Sequence, residues 1–423
     1  MWRQFDAQDW VKSRRASLQD VREPVSKIIA QVRDQGDKAL FELTERYDKT
    51  RLSTLNVGAD QMAAAYSKVD KELIKDLKLS KERIERFHAL QVKALNWEEE
   101  VEPGVKLGMC TMPMDRVGAY VPGGRAAYPS TALMCVVPAK VAGVGKVICC
   151  TPPPIHPLIL VALDIAGADE IYSIGGAQAI AAMALGTATI SPVQKIVGPG
   201  NIYVTVAKML LKDHVEIDFP AGPSELAVLA DETANPVFIA SDIIAQAEHD
   251  PDSACALVTT DRSLAEQVGK HIEKMMKKAE RREVIARSLT NCGYVLIRDI
   301  AEGIEKINEI APEHLSIQIN EPRPIMEKIH NAGAIFIGPY SAVACGDYSS
   351  GTNHVLPTAG YARTYSGLDI RHFCKSVSIQ EVSREGLESI GPITMSLAEA
   401  EGLQAHSESV RIRLEKQKNE RSG

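Results

Sequence analysis

The chain has 423 residues, more than one hydrophobic core usually serves, so two or more globular units are expected. Hydrophobic residues make up 45%, charged residues 24% and aromatic residues only 5%, a balance that suits α/β layers better than an all-β sandwich. A net charge of −7 without a basic block argues against a nucleic-acid partner, and the short Lys-rich stretch at 274–278 reads as a solvated helix face.

The N-terminal residues 1–6 lack the apolar core of a signal peptide, and the longest apolar runs, such as 158–163, are far too short to span a bilayer. Eight scattered cysteines, with no C-x-x-C, give no sign of a disulfide framework. A cytoplasmic location with no membrane partner is the expectation.

Residues 1–100 are predicted to be helical. Segments 21–47 and 61–95 carry apolar residues at three- and four-residue spacing between charges. From about residue 116 short apolar runs alternate with helical stretches. A strand at 146–150 precedes a helix at 156–166. The next strand, 170–174, ends in Gly175-Gly176 and hands over to an Ala-rich helix. A third strand, 195–197, ends in Gly198-Pro199-Gly200 before a helix at 201–212.

The rhythm resumes after Ser224, with strands at 226–229, 254–259, 294–297, 315–319 and 334–337 and helices at 236–249, 264–279 and 300–310. Such alternation predicts an α/β fold of two consecutive Rossmann-like parallel-sheet units with helical N- and C-terminal extensions. The boundaries drawn are 1–18 for an N-terminal helical arm, 19–117 with 226–368 for one α/β domain, 118–225 for the other, and 369–423 for a helical tail.

Several residues along this scaffold have the chemistry of a site. Gly175-Gly176 and Gly198-Pro199-Gly200 fall where strands pass into helices, and such turns offer backbone N–H groups to a phosphate. Neither is G-x-G-x-x-G. Gln246 and His249, three residues apart at the end of a predicted helix, share a face. Asp347 and His354 lie in a predicted loop of small residues, 345–354, and His406 lies in the C-terminal tail. Glu313 beside His314 offers two bases of different intrinsic pKa. Gln, two His and Asp could together close a four-ligand metal site, although side-chain chemistry alone equally allows polar helix ends and ordinary turns.

Read as whole strings, eight segments resemble the histidinol dehydrogenase family, in order and from roughly residue 20 to 410. They cover 118–124, 175–180, 198–204, 217–225, 245–249, 311–315, 346–357 and 401–406. The Asp218-Phe-Pro-Ala-Gly-Pro-Ser-Glu225 string and the Gln246-Ala-Glu-His249 string are the most specific. The resemblance implies oxidation of L-histidinol through L-histidinal to L-histidine with two NAD, the last step of histidine biosynthesis. It implies one zinc per subunit on Gln246, His249, Asp347 and His406, with these ligands also touching substrate. It further implies substrate contacts from Ser224, His314, His354 and Glu401, and NAD contacts from Tyr120, Gln178 and Asn201 in the 118–225 domain. Glu313 and His314 would be the catalytic pair. The tail would cross into a partner subunit, so that an intertwined homodimer donates Glu401 and His406 in trans.

The nearest rival is a paralogous zinc- and NAD-dependent alcohol dehydrogenase acting on a small diol or sulfonated diol. A zinc hydrolase using Glu313 and His314 on water, and a non-catalytic dimeric binding module, are further alternatives.

Overall fold

The computed structural model describes residues 2–13, 20–93, 95–123 and 127–415. In chain order they form β1 (Arg3–Gln4), α1 (Ala7–Ser13), α2 (Arg22–Gln35), α3 (Asp37–Asp48), α4 (Ala59–Tyr66), α5 (Lys71–Val92), β2 (Trp97–Glu102) and β3 (Val105–Pro113). Next come β4 (Arg116–Tyr120), α6 (Pro129–Val141), β5 (Lys146–Thr151), α7 (Pro157–Ala166), β6 (Glu170–Ser173), α8 (Gly176–Leu185), β7 (Lys195–Val197), α9 (Ile202–Leu210) and β8 (Glu216–Ile217). The third stretch holds β9 (Glu225–Ala230), α10 (Pro236–Ala247), β10 (Ala254–Thr259), α11 (Arg262–Met276), α12 (Arg282–Ser288), β11 (Gly293–Leu296), α13 (Ile300–Ile310), β12 (His314–Gln318), β13 (Ala334–Ile337) and α14 (Val343–Tyr348). The chain closes with β14 (Cys374–Val382), α15 (Arg384–Ala400) and α16 (Gln404–Glu415). Two compact units result, Met1–Ala89 with Met114–Phe373, and Leu90–Pro113 with Cys374–Gly423.

The large unit holds two parallel sheets, one for each predicted α/β repeat. The first has strand order β6-β5-β4-β7-β8. Its strands are apolar on both faces, as parallel strands covered by helices must be. Val147 and Cys149 of β5 face a core shared with α6 and α7, while Ile148 and Cys150 face a core shared with α8 and α9. Each fully buried Ile or Leu in these layers contributes about 1.5–3 kcal/mol.

The second sheet runs β1-β11-β10-β9-β12-β13, again all parallel. Leu226 and Val228 of β9 turn toward α10 and α11, whereas Ala227 and Leu229 turn toward α1 and α13. In the first sheet the chain starts in the middle, winds outward to one side and returns to the other, and in the second β9 to β13 do the same while the N-terminal β1 adds the outer edge beside β11. The reversals lie between β4 and β7 and between β9 and β12.

The small unit carries an antiparallel sheet of order β14-β3-β2 and the helix pair α15 and α16. The β2–β3 hairpin turns at Pro103-Gly104, where Gly104 has φ +77°, a conformation that favours glycine.

Five expectations are corrected. The helix expected over 21–47 is two helices broken at Gly36 (φ +54°), and that over 61–95 is likewise two. Residues 97–102, within the stretch expected to be helical, form β2 despite their run of Glu. The segment from Ser376, expected to be helical, begins inside β14. The first residues are not only helical, since Arg3 and Gln4 add an edge strand to the second sheet. Residues 14–18 of the predicted arm and 416–423 of the predicted tail lie outside the described residues. Packing also differs from the grouping of 19–117 with 226–368, because Val25, Ile28, Leu40 and Leu43 of α2 and α3 share their core with Ile148 of β5 and Ile180 of α8.

Candidate active site

The Glu313-His314 pair stands where α13 gives way to β12. Ala311 caps α13 in the left-handed conformation (φ +50°), which costs an L-residue roughly 1–2 kcal/mol, and Pro312 prevents the helix from continuing. The abrupt turn delivers both side chains to the amino-terminal edge of β12, against the start of β9, where His314 is in register with Leu226. Both are buried, at 5% and 4% exposure.

One neighbouring residue holds the pair. The backbone N–H of Glu225 donates to Glu313 Oε2 at 2.7 Å, and the Glu225 carbonyl lies 3.0 Å from His314 Nδ1. A carbonyl can only accept, so Nδ1 carries the proton and Nε2 keeps its lone pair. That Nε2 is buried without a hydrogen-bond partner, with Asp347 Oδ1 3.9 Å away. Burial holds the imidazole below its ordinary pKa, against an opposing pull from Asp347. Burial also pushes the Glu313 carboxyl well above the carboxylate range; the charges of Glu225 and Asp347 add to this, while hydrogen bonds from Glu225 N–H and Ser224 oppose it. The result is a neutral imidazole beside a carboxyl made unusually basic.

Further residues converge on this edge. Asp347, expected in a loop, instead lies on the short helix α14, which packs against α10. Its backbone carbonyl is 2.9 Å from His354 Nδ1, and His354 Nε2 reaches Thr131 Oγ1 at 3.4 Å. Burial lowers the His354 pKa as well. His249, just past the end of α10, is close enough to act electrostatically on both His314 and His354. Gln246, on the last turn of α10 and 2% exposed, has a buried Nε2 without a hydrogen-bond partner. A cavity lined by Ser224, Glu313, His354, Gly198, Pro199 and Asp218 links this group to the first sheet.

Tyr120, Gln178 and Asn201 gather at the carboxyl ends of the first sheet's strands, beside the β4–β7 reversal where open α/β sheets bind ligands. Tyr120 OH accepts the Gly176 N–H at 3.1 Å, and burial pushes its pKa up to about 12. Gln178 is buried beneath the same turn, where a Cβ on Gly176 would meet its Oε1. Asn201 caps α9, its Oδ1 accepting from Tyr203 and Val204 N–H at 3.0 and 3.2 Å. Its amide NH2 remains as a donor. A Cβ on Gly198 (φ +108°) would fall on the Tyr120 carbonyl, so only glycine lets the two strand ends close together.

Glu401, at the end of α15, and His406, on α16, belong to the small unit and are exposed there. Every other expected site residue lies in the large unit. Among the described residues no group of three or more His, Cys, Asp and Glu side chains could hold a metal ion. Of the expected metal set, only His249 and Asp347 are side chains of those kinds in the large unit. By chemistry the Gln246 Oε1, the His249 imidazole and the Asp347 carboxylate are each groups that a zinc ion accepts as ligands.

Residues 11–414 match the family model described as histidinol dehydrogenase. The chain belongs to the histidinol dehydrogenase family. Histidinol dehydrogenase of Methanosarcina mazei is 49% identical over 95% of this chain and 94% of its own length, and that of Methanothermobacter thermautotrophicus is 50% identical over 96% of both. The crystal structure of histidinol dehydrogenase from Elizabethkingia anophelis superposes with a TM-score of 0.93 at 39% identity, covering 97% of this chain and 96% of that one.

Membership in the histidinol dehydrogenase family makes the chain an oxidoreductase. Three contributions to its site escaped the sequence reading. Glu225 ends a recognised string, yet it acts through its backbone, which side-chain chemistry does not reveal. Asn353 donates to the Met134 carbonyl at 2.8 Å and accepts from Val355 N–H at 2.9 Å, fixing the strand of chain that carries His354. Ser80 and Arg83 of α5 hold the preceding segment through the carbonyls of Tyr348 and Ser349.

Proposed function

We propose that this chain catalyses the four-electron oxidation of L-histidinol through L-histidinal to L-histidine, the last step of histidine biosynthesis, as a cytoplasmic homodimer using zinc and two NAD. Among the described residues no helix is long and apolar enough to cross a membrane. The observation that carries the reading is the buried Glu313-His314 pair, held by the Glu225 backbone with His314 Nε2 left as an unshared lone pair.

The chain's own residues divide the work. His314 Nε2 takes the proton of the substrate hydroxyl, which its lowered pKa permits at neutral pH. Glu313, made more basic by burial, takes a proton from the water that attacks the aldehyde. Ser224, donating to Glu313, keeps that carboxylate aimed into the cavity, and His354 orients the substrate from the other wall. Gln246, His249 and Asp347 would hold zinc together with His406 of a second copy, and Glu401 of that copy would contact the substrate. Zinc bound there would supply a Lewis-acidic fixed point that orients the substrate. Tyr120, Gln178 and Asn201 would hold NAD, whose chemistry would be that of a hydride acceptor.

The test is a product balance. Purified protein given L-histidinol and NAD should release two NADH and one L-histidine per histidinol consumed, and chelation should abolish the reaction until zinc returns. One NADH with an accumulating aldehyde, or turnover of a small diol in preference to L-histidinol, would refute the assignment.

A further inference from the structure

The Asp218 that opens the most specific sequence string has no part in the chemistry above, yet it is almost fully buried. Its side chain forms an ion pair with Lys208 of α9, with side-chain exposures of 1% and 4%. Removing two charges from water is costly, and a well-packed apolar pair usually serves stability as well or better. What the pair does geometrically is more specific. Asp218 Oδ2 accepts the Gly198 N–H at 2.8 Å, and Lys208 Nζ donates to the Gly198 carbonyl at 3.0 Å. Asp218 Oδ1 also accepts the Phe219 N–H at 2.7 Å.

One residue of the β7–α9 turn is thus gripped through both its backbone groups by a single buried charge pair. Gly198 lies against the Tyr120 carbonyl at the end of β4, and three residues later Asn201 caps α9. Asp218 and Gly198 both line the cavity that reaches Glu313.

We propose that Lys208 and Asp218 are positioning residues for NAD: their ion pair fixes the Gly198-Pro199-Gly200 turn so that its backbone and Asn201 meet the dinucleotide already ordered. The proposal rests on the reading that NAD lies over this turn. A preorganised turn avoids the cost of ordering backbone on binding, so loosening it weakens nucleotide affinity and leaves substrate affinity intact.

The pair Lys208→Met/Asp218→Leu removes both grips without stranding a buried charge. Binding of NAD, measured by calorimetry on the zinc-loaded protein, should weaken about ten- to a hundredfold, the range expected for losing two charge-assisted bonds. Binding of L-histidinol should change less than about threefold, a split that general destabilisation would not give. Should that variant not fold, Lys208→Gln/Asp218→Asn keeps polar atoms in place without charge and carries the same comparison. Unchanged NAD affinity in a folded variant overturns the proposal.

The wild-type protein gives two further readings by hydrogen exchange. Fast exchange of the Gly198 amide before NAD is added overturns the clamp. Absence of NAD protection across 198–204 overturns the placement of the nucleotide itself, and so separates that failure from the failure of the clamp.

Discussion

Replacing His314 by Asn separates its two nitrogens. The Asn amide can reproduce the Nδ1–H that meets the Glu225 carbonyl at 3.0 Å, but places no atom where Nε2 stands. The hydrogen bond worth about 0.5–1.5 kcal/mol is kept, and the variant should fold with little loss. The base itself is gone. A general base contributes about a hundred- to ten-thousandfold, or roughly 2.7–5.4 kcal/mol of barrier at 1.36 kcal/mol per decade. Glu313→Gln is the complementary change: its amide oxygen can still accept the Glu225 N–H now at 2.7 Å from Glu313, but an amide cannot take a proton from water.

Single-turnover formation of NADH from L-histidinol and from L-histidinal reads the two steps separately. His314→Asn should slow the first by that factor and the second much less, whereas Glu313→Gln should slow histidinal oxidation and spare the first hydride transfer. Equal damage to both steps by both variants would mean the pair acts as one unit, and the division of labour would be wrong.

Further consequences follow from the same geometry. His249→Asn should weaken zinc binding at least about a hundredfold with the thermal midpoint of the metal-free protein unchanged, read by metal analysis beside differential scanning calorimetry; full zinc content would remove His249 from the ligand set. Co-refolding inactive His406→Ala and inactive His314→Ala chains should restore about a quarter of wild-type activity, since half the dimers are mixed and each mixed dimer has one intact site. No recovery from demonstrated mixed dimers would exclude donation in trans. Asp242, on α10, is pushed by burial from 3.8 up to about 6 although it accepts a hydrogen bond from Val343. Its folded pKa is raised, so the folded state holds the proton more tightly, and stability falls as pH rises from about 4 to about 6. Asp242→Asn should therefore gain about 1–3 kcal/mol at pH 7.5 and almost nothing at pH 4, measured by urea unfolding. A gain independent of pH would show that the carboxyl is not the cause.

The parts of the fold legible in the sequence are those where burial on both faces writes itself into the residues. β10 (Ala254–Thr259), buried throughout, is bounded where its apolar run begins and stops, and α13 begins at its Asp299 cap. The small unit fails the same reading because its strands are exposed. In β14 Val377 and Ile379 do alternate with polar residues, but both face solvent, so the period-two signal was outweighed by the charged helices that follow. β2 was hidden by its glutamates, although Pro103-Gly104 marks a hairpin turn.

The site divides along a different line. Open α/β sheets place ligands at the carboxyl ends of their strands, and Tyr120 and Gly198 obey that rule at the first sheet. The second sheet breaks it, since Glu225 and His314 are the first residues of β9 and β12. A cavity lined by residues of both sheets joins the carboxyl edge of one to the amino edge of the other. Composition and periodicity predict two sheets but carry no information on how their edges meet, and for that reason only whole-string resemblance could collect Gln246, His249, Asp347 and His314 into one place. It could not reach the parts that act through backbone atoms. Glu225 holds both catalytic side chains through its own N–H and carbonyl, and Lys208 with Asp218 holds Gly198 through the same two groups of that residue. Such grips depend on a chain's path in space, so the residue types that make them look, in a sequence, like ordinary charges on ordinary elements.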